Sequence, residues 1–279
     1  MNNLHELLTF WVENYKRGFV SQGTYQCCLY IVGLIKKNTE NMYIAVFDDV
    51  YVNALIVRLF NKGYSKSILY KVKSVISRAY AVAIKKGFTC TNPCEDTVIP
   101  ISAPVKGVYA LSTDEQQRVE MACNACKLGH LVIFMLKTGL RRSELLDLKW
   151  SDFDESKKCI FIRKSKTKTG VRKIPLIPRT VEIILNQPRI NDYIFNNTKN
   201  MPLTDSSMKK LYEKIQHITG IKAFTNHVCR HTFATRLIER GANPKSVSEL
   251  LGHKDVAFTL RTYTTIDYGH LQKEVMLLE

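Results

Sequence analysis

The sequence predicts a mainly α-helical protein of two domains, with one small antiparallel β-hairpin in the second. Three observations carry that expectation. Apolar residues return every three or four positions from Asn3 to about Ile101 and again through the C-terminal third, the spacing that gives a helix one buried face. The stretch Thr91 to Val105 holds Pro93, Pro100 and Pro104 with few charges, as an extended connection between domains does. Alternation at period two is confined to Cys159–Arg163 and Arg172–Ile177. A chain of 279 residues, 45% hydrophobic, is long enough to fill two cores.

The first domain, residues 1–105, opens with Leu4, Leu7, Leu8 and Trp11 on one helical face, followed by Leu29, Ile31, Val32, Leu34 and Ile35 on another. Asp48 and Asp49 precede Val50, Val52, Leu55, Ile56 and Leu59, and Gly63 closes the run. Acidic cap and glycine stop are the expected ends of a helix. Ser65 then starts an amphipathic helix over 67–86, with Leu69, Val72, Val75, Ile76, Tyr80 and Ile84 on one side and lysines and Arg78 largely elsewhere.

The second domain, residues 106–279, begins with a capping arrangement in which Ser112 or Thr113 caps and Glu115 lies in the first turn. His130 to Leu136 is almost wholly apolar, reads as a helix buried on all sides, and ends at Thr138-Gly139. A further helix is expected from there to about Trp150–Asp154. The hairpin follows, with Gly170 in its turn. Helices resume beyond it, one of them with Asn243 as cap, Pro244 at its first position and Gly252 as its stop.

With 41 Lys+Arg against 25 Asp+Glu the formal charge is +16, which makes a polyanion the expected partner and a basic cofactor a poor one. Both domains share the excess: 12 basic and 7 acidic residues up to residue 105 leave +5, and 29 against 18 beyond it leave +11. That distribution suits a ligand gripped from two sides. No run approaches the length of a membrane helix and no secretory signal opens the chain, so a cytoplasmic protein without a membrane partner is expected. The eight cysteines include Cys123 and Cys126 at Cys-x-x-Cys spacing and Cys90 and Cys94 four apart. Neither pair has a second ligand pair or a histidine at a zinc-finger offset, so a structural zinc is not expected, and Cys27, Cys28, Cys159 and Cys229 lie in apolar-periodic surroundings and read as packing residues.

Five local patterns in the second domain carry chemistry. Arg141 follows Thr138-Gly139-Leu140 at a helix start, where a cation opposes the helix dipole and calls for a compensating group; Glu144, three residues on, is the candidate. Lys157 to Lys173 holds eight basic residues and no acid, with Lys164, Lys166 and Lys168 near the hairpin tip. His227 and Arg230 share a helical face, with His231 the alternative histidine and Thr225 or Asn226 the cap. His253 follows Leu250-Leu251-Gly252, and Tyr263 lies ten residues further on. Each pattern alone also fits an ordinary surface ion pair, a solvated loop, a helix-end histidine or a half-buried ring.

Taken together and in this order, Thr-Gly-Leu-Arg, the lysine-tipped hairpin, His-x-x-Arg, Leu-Gly-His and the tyrosine resemble the signature of the tyrosine recombinases, the integrase family. The likeness spans nearly the whole second domain, and the basic helical first domain is similar to that family's SAM-like core-DNA-binding domain. It implies that Arg141 and Arg230 clamp a phosphate, that His227 and His253 share the site, and that Tyr263 is the nucleophile. Lys166 best fits the hairpin lysine, with Lys168 a competitor; Glu144 holds the family's acidic position in a supporting role. The implied reaction is site-specific recombination through a 3′-phosphotyrosine intermediate, with no cofactor, no metal and no ATP. Its implied partner is double-stranded DNA, bound by a tetramer of identical protomers on two duplexes. A type IB topoisomerase-like activity and a non-catalytic DNA-binding regulator are the alternatives. No additional N-terminal arm-binding domain is legible, so the chain reads as a minimal recombinase or a trimmed one.

Overall fold

The computed structural model describes residues 2–89, 91–105, 107–163, 170–253 and 276. The chain divides into two compact units, Met1–Gly107 and Val108–Glu279, each with its own apolar core.

In the first unit, α1 (Leu4–Tyr15), α2 (Gln22–Asn38), α3 (Asp49–Asn61) and α4 (Lys66–Lys85) bury their apolar faces on one another. The Asp48 carboxylate accepts from the N–H groups of Val50 and Tyr51, so the first turn of α3 has its orphan donors satisfied. At the other end of α2, Arg58 and Lys62 donate to the carbonyl and side chain of buried Asn38 at 2.6 Å each. Cations placed there meet the negative end of the helix. Ser65 precedes α4 by position, but its side chain makes no capping bond.

The second unit is built around α6 (Gly129–Thr138), whose residues are buried almost all round. Against it pack α5 (Thr113–Asn124), α8 (Pro178–Leu185) and α10 (Asn226–Glu239), while α9 (Asp205–Thr219) rests on α5. Ser112 caps α5 in a capping box with Glu115. Strands β1 (Phe153–Asp154), β2 (Cys159–Ile162) and β3 (Arg172–Pro175) form an antiparallel sheet in the order β1-β2-β3, with Ile160 opposite Ile174 and Ile162 opposite Arg172. Near the end of the described chain, α11 (Pro244–Leu251) starts on the Asn243 cap with Pro244 in its first turn and ends on Gly252.

Two elements differ from expectation. The helix that was to run from Gly139 to about Trp150 is α7, only Arg142–Leu146. Its continuation is diverted by a distant segment: Ile194 N–H donates to the Leu148 carbonyl and Trp150 N–H to that of Asp192, so residues 148–150 pair sideways instead of continuing the helix. The hairpin also gains a third strand, β1, too short for any periodicity to show.

Candidate active site

Arg141 is placed by the end of α6. Gly139 caps that helix with φ +64°, a left-handed conformation that suits glycine. A Cβ there would stand 2.4 Å from Cδ1 of Phe233 on α10. The chain can therefore turn tightly into Leu140, which is fully buried, and Arg141 emerges as the N-cap of α7 in extended conformation.

The compensation demanded by an arginine at a helix start is present. The Glu144 carboxylate accepts from the Arg141 backbone N–H at 2.9 Å and from Arg141 Nη1 at 2.8 Å. It also accepts two bonds of 2.9 Å from Arg172 Nη1 and Nη2. Its side chain is 3% exposed. Burial pushes its carboxyl up, but the Arg172 fork and then the Arg141 backbone and side chain outweigh burial and hold it below its usual range.

The C-terminal end of α11 receives the arginines. Its last carbonyls have no partner within the helix, and three in succession accept guanidinium N–H groups: Leu250 from Arg172 Nε at 2.6 Å, Leu251 from Arg230 Nη2, and Gly252 from Arg141 Nη2 at 2.9 Å. The buried Arg230 also donates from Nη1 to the Gly139 carbonyl at 2.8 Å. Both left-handed glycine caps, at the ends of α6 and α11, thus lend their carbonyls to the arginines singled out by sequence. The Arg141 side chain keeps 32% of its surface exposed.

His227 lies in the first turn of α10, where the Thr225 hydroxyl, rather than Asn226, accepts from the Val228 N–H. Burial, then the charges of Arg230, Arg142 and Arg141, hold its imidazole below the ordinary histidine value. His231, one turn along, is lowered to about 4 by burial, His227 and Arg230. His253 directly follows the Gly252 cap and is lowered to about 4 by burial and then by Arg230, Arg141, His231 and Arg172. In the unliganded protein these surroundings favour the neutral form of all three rings.

The structure thus gathers Arg141, Arg230, His227 and His253 in one region of strong positive field, with Glu144 beneath. Lys166, its competitor Lys168 and Tyr263 lie outside the described residues. Sequence reasoning placed Arg172 only as a strand residue. Strand parity was the available signal: Arg172, Ile174 and Leu176 share one face, the latter two are buried, and an arginine on a buried face requires a carboxylate partner.

An arginine–histidine centre in a mainly helical, strongly basic chain defines the class first: a protein that handles the phosphate oxygens of nucleic acid. Residues 110–270 match the model of the phage integrase family. The chain is 27% identical over 277 residues to the tyrosine recombinase XerC-like protein of Caldanaerobacter subterraneus subsp. tengcongensis, covering 82% of this chain and 71% of that one. Its fold is similar to that of the Tn1549 transposon integrase in complex with a circular intermediate DNA (TM-score 0.79, 20% identity, 100% of each chain). It is also similar to a lambda integrase tetramer bound to a Holliday junction (TM-score 0.76, 21% identity, 96% of this chain and 80% of that one). The chain belongs to the phage integrase family, the tyrosine recombinases. It is a site-specific recombinase, an enzyme that cleaves and rejoins DNA strands.

Proposed function

We propose that this enzyme cuts DNA by attack of the Tyr263 oxygen on a phosphodiester held by Arg141 and Arg230. The observation that carries the reading is the convergence of both arginines on the carbonyls of Leu251 and Gly252 at the end of α11, directly before His253. A bond forms between the tyrosine oxygen and phosphorus while the bond to the 5′-oxygen breaks, leaving a 3′-phosphotyrosine and a free 5′-hydroxyl. The energy of the broken ester is conserved in the new one, so the reverse attack by another strand's 5′-hydroxyl reseals DNA without ATP. Guanidiniums suit this chemistry because each offers parallel N–H donors to the oxygens that gain charge in the transition state.

Tyrosine has a reference pKa near 10, so full deprotonation at neutral pH would cost roughly 4 kcal/mol. A neutral His227 provides an acceptor for that proton, and the surrounding cations stabilise the phenolate as it forms. Burial, and after it the charges of the arginines, favour the neutral form of His253, and its ring N–H serves as a donor to the phosphate. Lys166, with Lys168 as the competing hairpin lysine, delivers the proton to the leaving 5′-oxygen.

Recombination requires two duplexes, and four copies of this chain, one at each strand to be cut, meet that need. The residues up to 105 serve as the core-DNA-binding domain and those from 106 onward as the catalytic domain, and both carry an excess of basic residues. The enzyme acts in the cytoplasm, with no cofactor. The test is a suicide substrate: a nicked duplex from the DNA flanking its own gene, incubated in chelator without ATP. The wild-type protein yields a denaturation-resistant protein–DNA adduct, and Tyr263→Phe yields none while binding the same duplex. Adduct formation by Tyr263→Phe rules the assignment out.

A further inference from the structure

Arg172 differs from Arg141, the more exposed of the two arginines assigned to the phosphate. Its side chain is only 7% exposed, against 32% for Arg141. Its fork is spent inside the protein: Nη1 and Nη2 grip both oxygens of Glu144 at 2.9 Å, Nη1 also donates to the Gly170 carbonyl at 2.9 Å, and Nε donates to the Leu250 carbonyl at 2.6 Å. Each Glu144 oxygen that Arg172 binds also accepts from Arg141, Oε1 from Nη1 and Oε2 from the backbone N–H. A carboxylate has about four lone-pair sites, and these two arginines supply four bonds to them.

We infer that Arg172 is a positioning residue for DNA cleavage: through Glu144 it sets the orientation of the Arg141 guanidinium, and through Leu250 and Gly170 it ties that pair to the end of α11 and to the residue of the hairpin turn just before β3. The inference rests on the assignment of Arg141 to the phosphate. Three segments distant in sequence are pinned by one planar group, at separations of 28 residues to Glu144 and 78 to Leu250. A lysine cannot reproduce this, since a point charge does not bridge a carboxylate and a carbonyl set at the angles of the guanidinium fork. Gly252 fits the same arrangement. Apart from its φ of +65°, a Cβ at that position would stand 3.1 Å from Arg172 Nη1 and 3.2 Å from Gly170 Cα, so the bare backbone leaves the fork its room. Displacement of a phosphate clamp by about 1 Å can slow a reaction on the order of 100-fold.

The experiment is a double-mutant cycle on the full chain, using the nicked suicide duplex as probe and reading equilibrium binding separately from the single-turnover rate of adduct formation at saturating protein. Arg172→Lys is expected to bind the duplex within about twofold of wild type and to form adduct about 100-fold more slowly. Arg141→Lys is expected to be slow as well, and Arg172→Lys combined with Arg141→Lys to be no slower than Arg141→Lys alone, since Arg172 acts through Arg141. A general loss of structure would instead weaken binding, or multiply the two rate losses. Should Arg172→Lys fold poorly, the paired change Glu144→Gln with Arg172→Gln removes both buried charges and enters the same cycle. Wild-type cleavage by Arg172→Lys, or multiplicative losses in the cycle, overturns the inference while leaving the Arg141 assignment intact. Wild-type cleavage by Arg141→Lys overturns both.

Discussion

Arg230 illustrates what a single buried side chain contributes. Its guanidinium donates to the Gly139 and Leu251 carbonyls, so its position is set in the DNA-free protein, as preorganised electrostatic stabilisation requires. Arg230→Lys is therefore expected to lower the single-turnover cleavage rate by roughly 100- to 1,000-fold, with little change in duplex affinity; a parallel loss of rate and binding would mean that the residue serves binding alone. The histidines make a pH prediction. His231 and His253 have pKa values lowered from 6.5 to about 4 in the folded protein, so the unfolded chain binds more protons between these values. Their contribution to stability is fully present above about pH 6.5 and is lost as pH falls toward 4. Urea midpoints of the DNA-free protein should drop between pH 7.5 and pH 5, and His231→Gln should flatten that slope; an unchanged slope contradicts the assignment. At this scale spacing and order single out Arg141, Glu144, His227, Arg230 and His253 in the sequence, and the structure brings Arg141, Glu144 and Arg230 to the end of α11 beside Arg172. For Arg172 strand parity signals only a buried face; that its partner is Glu144, 28 residues away, no local pattern records.

Helix ends carry the site. The left-handed glycines at 139 and 252 stop α6 and α11 and present the carbonyls that hold Arg230 and Arg141. Gly252→Ala should cost about 1–2 kcal/mol from its positive φ alone, and Gly139→Ala more, because its Cβ would collide with the Phe233 ring. Urea denaturation of both variants checks the order; equal losses would show that Phe233 yields freely. Termini with a local chemical cause were readable in advance: the Asp48 cap of α3, the Ser112–Glu115 box of α5, and Asn243-Pro244 before α11. The early end of α7 and the existence of β1 were not, since both are decided by pairing with segments elsewhere in the chain.

Across the whole molecule the excess of positive charge sets how tightly and how fast DNA is met. A chain of net charge +16 that neutralises six to ten phosphates should lose roughly 1,000- to 100,000-fold in duplex affinity between 50 and 200 mM salt. Titrations at several salt concentrations measure the slope, and a shallow one would argue against extensive phosphate contact by this basic chain. Among the described residues no helix is long and apolar enough to cross a membrane. The two separate cores follow from the long 3.6-residue periodicities on either side of the proline-bearing stretch, which is why the helical character of both halves could be read without a structure. The identity of the residue that becomes linked to DNA is the central claim, and it is directly measurable. The adduct formed on the nicked duplex is digested with nuclease and trypsin, and the nucleotide-bearing peptide is sequenced by mass spectrometry. Cleavage after Arg261 and Lys273 releases a peptide holding both Tyr263 and Tyr268, so fragmentation distinguishes them. The account predicts the nucleotide on Tyr263; its appearance on Tyr268, or on any residue outside that peptide, contradicts it.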